Sequence, residues 1–529
     1  MMERRSQRSC GCEGRGRAVR RSLRWAALAG ALLAGLGGGV VASAVTASPA
    51  GTGPGGCFDP ASYSIPPTGR QDDSPRIQAA IDDAVAAGGG TVCIGSGHWA
   101  VSRAPVGSYD RSAALSTHGA HVTITGTGPG TVIDLSGDQQ QAAVSVFSLD
   151  PGASDITIER MTIDTSGATN TDPQEQTHAI AIGSGFCTNA NGTCSMPVSD
   201  VTVRDVTFVH PHVGTERMGD CIRILGNTPA TQVDRVTIAG SSFTDCGRSG
   251  IGVQRNVNSL AVLGNHFGVN INDTPFDAEA SGGGNDDGLR MVGNSFADST
   301  VNFSASLTNY AHAIITGNTF AGRGLSLYRS QDILVDDNTF DVTEATGVGV
   351  VDAENVADGV KIDGNVIRRH GAAGPAIKVT PHSGGIPNQV SISNNTIVTD
   401  GNADAIYTES VRNLGVRDND ITFTGPAPAG SGIHLDAISG PIDQAMITGN
   451  TIAGPLTPTG GNTYFAAVRL VARPETISGV TVALNSARGA LRSLDCEQSG
   501  GSFPQPIISL GNRWNVAPVC PFATLQPGQ

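Results

Sequence analysis

An asparagine recurs through the second half of this chain, at Asn265, Asn294, Asn318, Asn338, Asn365, Asn395, Asn419, Asn450, Asn485 and Asn512, with intervals of 20 to 35 residues. Most close the same phrase: an alternating apolar run, Gly-Asn or Asp-Asn, a polar residue, then Phe or Ile. Leu263-Gly264-Asn265-His266-Phe267 and Thr448-Gly449-Asn450-Thr451-Ile452 are two copies. The alternation suits a strand with one buried face. Gly and Asn tolerate left-handed backbone, so the phrase reads as strand, turn, strand. One such unit cannot bury its own apolar face, whereas a stack of them can. Stacked asparagines can also bond to one another, which satisfies their buried amides.

Weaker copies run upstream, over Val236 to Phe243 (Ser241 in place of Asn), Val201 to Phe208 and Ile156 to Ile163, with Val122 to Leu135 as the first full coil. No helical pattern of useful length interrupts them after position 90. The expected fold is all-β, a single-stranded right-handed parallel β-helix of roughly fourteen coils, a rod of about 65 Å. Irregular intervals, asparagine at the turn and only three Trp argue against a propeller. The predicted organisation is an export signal over 1–44, an extension over 45–69, a cap over 70–120, the β-helix over 121–515 and a tail over 516–529.

The first segment has eight arginines and two glutamates before an apolar run from Trp25 to Val45, and Ala42-Ser43-Ala44 supplies small residues for cleavage. Arg20-Arg21-Ser22-Leu23 resembles part of a twin-arginine signal. The rival reading is an uncleaved membrane anchor. Without that segment the formal charge falls from −14 to −20, which opposes nucleic acid and anionic lipid and tilts the reading toward a neutral glycan. The expected product is a secreted protein with no membrane partner after cleavage; nothing in the sequence sets its oligomeric state. Eight cysteines then remain, and the pairs expected in an oxidising compartment are Cys57–Cys93, Cys187–Cys194, Cys221–Cys246 and Cys496–Cys520. The chain holds no Cys-x-x-Cys pair, so no metal site is expected from them.

Before the coils, Ser74 suits an N-cap and Pro75 the first helical position; Ile77, Ile81, Ala84 and Val85 make one apolar face, and three glycines end the helix at Gly90. Such a helix covers the open apolar end of a stack. Here the chain resembles the pectate-lyase-like superfamily of parallel β-helix proteins, in its bacterial secreted, carbohydrate-active branch. The resemblance rests on Asp72-Asp73, Ile77-Gln78-Ala79-Ala80-Ile81, the glycine run and Gly95-Ser96-Gly97-His98-Trp99. It implies the fold. It leaves the reaction open, because such proteins include lyases, hydrolases, epimerases and non-enzymes.

A second phrase (small, apolar, variable, apolar) aligns the coils on another face. Its variable column must point outward, and reads Ala181, Arg223, Gly252, Asp277, Ser304, Ser326, Gly349, Lys378, Tyr407, His434, Arg469. Two places concentrate ionisable groups. In the first, Asp277 and Glu279 face out about 7 Å apart, room enough for two carboxylates to flank a glycosidic bond and a water. Asp220 and Arg248 lie two and one coils below, and close carboxylates push one pKa up while an arginine holds another down. Certain bacterial members of the same superfamily carry a similar run. Gly219-Asp220-Cys221-Ile222, Arg248-Ser249-Gly250-Ile251 and Phe276-Asp277-Ala278-Glu279-Ala280 keep its Asp220, Arg248, Asp277 and Glu279, while Ser249 and Ala280 depart from it.

The leading expectation is a secreted glycoside hydrolase acting on a polysaccharide or oligosaccharide, with Asp220, Asp277 and Glu279 catalytic. Arg223, Arg248, Gln254, Lys378, Tyr407 and His434 would bind substrate. No cofactor is needed. The second cluster, Lys378, Tyr407, Glu409, His434, Asp436 and Arg469, extends the groove or supplies a rival centre around Glu409 and Asp436. A lyase or epimerase acting on uronic acids is the alternative, with calcium or arginine neutralising the carboxylate. A non-catalytic carbohydrate-binding surface protein is the third reading. His210 and His212 are candidate cleft residues, and Asp286-Asp287 a candidate calcium pair.

Overall fold

The computed structural model describes residues 56–525 apart from 65–71, 104–112, 139–142, 170–175, 184–195, 210–218, 280–285, 298–302, 344–348, 356–357, 372–373, 382–384, 401–402, 426–427 and 456–464. The export segment, the Cys187–Cys194 pair and His210 with His212 lie outside the described residues.

The strands wind into a parallel β-helix. One face is a 14-stranded sheet running from Ala113–Thr117 to Arg492–Gln498, in agreement with the expected number of coils. The other strands join into a second, larger sheet whose pairings are likewise parallel, as between Lys361–Asp363 and Asn388–Ser393. Strands Gly90–Cys93 and Gly97–Val101 already pair with Ala120–Thr125 and Thr131–Leu135, so the stack starts one rung before the expected first coil.

The asparagine column is the inner corner of the stack. Asn294 Oδ1 accepts both the backbone N–H and the side-chain amide of Asn265, at 2.9 and 3.0 Å. The same double contact repeats to Asn512, whose Oδ1 accepts from Asn485. Ser241 extends the column downward, its N–H donating to Asn265 Oδ1. The residue before each asparagine takes the left-handed conformation, Gly264 at φ +61° and Asp418 at φ +53° for example, which explains the Gly-Asn and Asp-Asn spelling. Leu484 adopts φ +57° at the same corner. Beside this column six phenylalanines, from Phe208 to Phe340, stack ring on ring with centroids 4.5–4.8 Å apart. That spacing is the rung spacing itself.

The helix Ser74–Ala86 buries Ile77, Ala80, Ile81 and Ala84 against the first rungs. It begins one residue before the expected start: Asp73, not Ser74, is the N-cap. The Asp73 carboxylate makes no cap bond and instead accepts the N–H of Ala100 and pairs with Arg76 at 2.6 Å. Disulfides join Cys57–Cys93, Cys221–Cys246 and Cys496–Cys520, each between neighbouring layers. Among the described residues no helix is long and apolar enough to cross a membrane.

Candidate active site

The outward column of the 14-stranded sheet runs Ala181, Arg223, Gly252, Asp277, Ser306, Ser326, Asp352, Lys378, Tyr407, His434, Arg469, Asp495. Two expected members are displaced. Ser304 is fully buried, with Ser306 in the column, and Asp352 stands where Gly349 was expected. Ala353 fills the inward slot that a larger apolar residue was expected to take.

The first cluster assembles around Arg248. Its Nε and Nη2 donate to the two carboxylate oxygens of Asp220 at 2.7 and 2.9 Å, and its Nη1 lies 3.6 Å from Glu279 Oε2. Asp220 itself is wholly buried. It was expected among the substrate-facing carboxylates, and the structure places it underneath. The cause is Gly252: a Cβ there would fall 2.5 Å from Asp220 Oδ2, so only glycine lets the carboxylate tuck against the strand. The backbone N–H of Asp220 donates to His178 Nδ1 at 3.0 Å, and that of Ser249 donates to its Oδ1 at 3.3 Å. Burial opposes its charge, but the Arg248 guanidinium outweighs burial and holds the carboxyl below its ordinary value.

Asp277 and Glu279 are opposite in character. Asp277 is 6% exposed, and burial first, then the Glu279 charge, push its carboxyl up to about 8 against the pull of Arg248. The Glu279 side chain is 48% exposed. One is thus a carboxylic acid at neutral pH and the other faces solvent two residues along the same strand. Arg223 donates to Gln254 Oε1 at 3.1 Å and stands one rung below Gly252, so both expected binding residues flank this cluster.

The second cluster lies further up. A cleft of about 310 Å³ is lined by Gly374, Lys378, Asp404, Tyr407, His434 and Arg469 among others. Lys378 Nζ bonds Glu354 at 2.6 Å and reaches Asp352 at 3.4 Å. Burial first pushes the Asp352 carboxyl up to about 6. His434 Nδ1 meets Asp404 Oδ2 at 2.9 Å, and its ring stands edge-on to Tyr407. Burial, then Asp436 and Glu409, raises the Tyr407 phenol above its ordinary value. Asp436 is buried and clamped by Arg473 at 2.7 and 3.2 Å, while Glu409 bonds Ser439, so these two do not form an open pair. The first and second clusters are separate: Asp277 and Lys378 stand four rungs apart.

Sequence reasoning missed Asp352 with Glu354, and Asp495 with Glu497. The signal was present, because Asp352-Ala353-Glu354 repeats the spelling of Asp277-Ala278-Glu279. Asp286 and Asp287, the candidate calcium pair, diverge. Asp286 is buried and accepts the N–H of Val257, and Asp287 faces His312 at 2.6 Å.

Parallel rungs, an asparagine corner and an acid-rich outer sheet define a right-handed parallel β-helix protein. Residues 151–397 match the family described as the right handed beta helix region. A stretch of 118 residues is 33% identical to the mannuronan C5-epimerase AlgE3 of Azotobacter vinelandii, spanning 21% of this chain and 6% of that one. Among solved structures, the A-module of mannuronan C-5 epimerase AlgE4 from the same organism is similar at 17% identity and a TM-score of 0.37, over 87% of this chain and 99% of that one. A tailspike protein of E. coli bacteriophage HK620, in complex with a pentasaccharide, is similar at 14% identity and a TM-score of 0.47, over 84% of this chain and 77% of that one.

Proposed function

We propose that this protein is an exported enzyme that hydrolyses a polysaccharide at the Asp277–Glu279 pair. One observation carries the reading: a shielded carboxyl that keeps its proton to about pH 8 sits two residues from an exposed carboxylate on an outward strand. Asp277 donates its proton to the glycosidic oxygen as the bond breaks. Glu279 takes a proton from the attacking water on the other side of the ring. The i, i+2 spacing of about 7 Å leaves room for that water and favours inversion at the anomeric carbon. Arg248 lies 3.6 Å from Glu279 and orients it, and Asp220 positions Arg248 from below without touching substrate. Disulfides between layers suit an oxidising compartment outside the cytoplasm.

The test is turnover of a panel of neutral polysaccharides by the wild type, Asp277→Asn and Glu279→Gln, read as new reducing ends. Each substitution lowers kcat by roughly 100- to 10,000-fold. Undiminished turnover in either variant refutes the assignment. The match to the mannuronan C5-epimerase favours a second reading, epimerase or lyase action on a polyuronate. An unsaturated product absorbing in the ultraviolet, or inverted C5 configuration with no new reducing ends, would select it.

A further inference from the structure

We propose that the cleft between Lys378 and Arg469 is a separate subsite for a neutral sugar ring, which makes the protein a reader of long chains rather than of short ends. The inference rests on the hydrolytic reading for the position of bond cleavage, and on independent observations for the subsite.

The first is an orphaned polar atom. His434 is 5% exposed and lines the cleft, and its Nε2 has no hydrogen-bond partner. With Nδ1–H donating to Asp404, Nε2 is a bare acceptor, matched to an incoming hydroxyl. A buried acceptor left empty costs about 1–3 kcal/mol, so a ligand hydroxyl there recovers what the fold forgoes.

The second is charge. Each cation at the cleft is already matched by acid: Lys378 by Glu354 and Asp352, Arg469 by Glu497 at 2.8 Å. Asp404 adds a further carboxylate on His434. A uronate would enter a site whose positive charge is already neutralised and would meet carboxylates, whereas a neutral ring meets hydroxyl-bonding groups of both kinds. Tyr407, half-buried beside His434, supplies the aromatic surface on which the apolar side of a pyranose rests.

The third is distance. Asp277, Ser306, Ser326, Asp352, Lys378, Tyr407 and His434 are successive positions of one column, so His434 stands six rungs beyond Asp277. At ~4.8 Å per rung that is about 29 Å. A sugar unit advances a glycan about as far as a rung advances the stack. A chain cut at Asp277 therefore needs roughly six units to reach His434. Avidity from the second contact then favours polymers over short oligomers.

The experiment uses the full exported chain carrying Asp277→Asn, so that binding is read without turnover. Affinity electrophoresis and calorimetry compare neutral polymers (β-glucan, mannan, galactan) with their trisaccharides and with the polyuronates alginate and polygalacturonate. The expected result is at least tenfold tighter binding of one neutral polymer than of its trisaccharide. Adding Tyr407→Ala or His434→Ala erases that advantage, and Tyr407→Phe, which keeps the ring, retains most of it. Circular dichroism confirms that each variant is folded. The proposal is overturned if both alanine variants keep the polymer advantage, if polyuronates bind the cleft in preference to neutral polymers, or if no glycan is retarded. Turnover that survives Asp277→Asn sinks the hydrolytic reading and leaves this binding comparison intact.

Discussion

Asp277 offers a thermodynamic test that needs no substrate. Its carboxyl rises from the ordinary 3.8 to about 8, with burial the first cause and Glu279 the second. The folded protein therefore binds this proton more tightly than the unfolded chain does. Its contribution to stability is complete below pH 4 and is lost as pH climbs through 8. At about 1.4 kcal/mol per tenfold change, the full loss is at most about 6 kcal/mol. Relaxation and water entry around the ion leave roughly half of that, about 3 kcal/mol. Asparagine has the same shape and never ionises. Asp277→Asn should match the wild type in thermal midpoint at pH 4, then pull ahead by several degrees between pH 5 and 8, and hold a constant lead above pH 9. Taking the difference between the two proteins cancels the titrating groups that do not interact with Asp277. Parallel curves across the whole range would show that the carboxyl ionises freely, and the general-acid assignment would go with it.

Further outcomes follow from other contacts. The kcat/KM profile should fall on its alkaline side near pH 8 as Asp277 loses its proton, measured on whichever glycan is turned over. Arg248→Met strands the buried Asp220 charge and should cost about 3–5 kcal/mol in denaturant unfolding, with much of the loss recovered by adding Asp220→Asn. Asn365→Ala removes acceptors for the Asn338 amides and leaves the Asn395 oxygen short of a donor, so it should cost about 2–4 kcal/mol, more than the same change at the column's last member, Asn512. Opening Cys221–Cys246 with a double Cys→Ala change frees a loop of 25 residues and should cost about 3 kcal/mol under oxidising conditions.

The architecture was legible because its rule is written at every rung. Asparagine at the corner, Gly or Asp before it and phenylalanine after it are local spellings with local causes, and they survive intervals that vary. The site was legible where the inward slot carries a large apolar residue, as Phe276 does between Pro275 and Asp277. It was lost at Val351-Asp352-Ala353-Glu354, because Gly347-Val348-Gly349-Val350 just before it offered a better imitation of the small, apolar, variable, apolar pattern. The grouping of Arg248 with Asp220 and Glu279 was legible from the coil register, but the burial of Asp220 beneath them was not. It depends on Gly252 leaving room one layer up, and a glycine in a sequence does not say what fills its space.

The asparagine column has a direction. From Asn265 to Asn485 each asparagine gives its backbone N–H and one amide N–H to the oxygen of the next, while its other amide N–H turns back to a backbone carbonyl of the rung before. Neighbouring strand amides alternate in sense and their dipoles largely cancel, whereas these side chains all align. Each bond polarises its successor, so the row acts as one long electric needle threaded through the solenoid, positive toward the carboxyl-terminal end. A rod built this way is not electrically the same at its two tips, whatever charges decorate its surface.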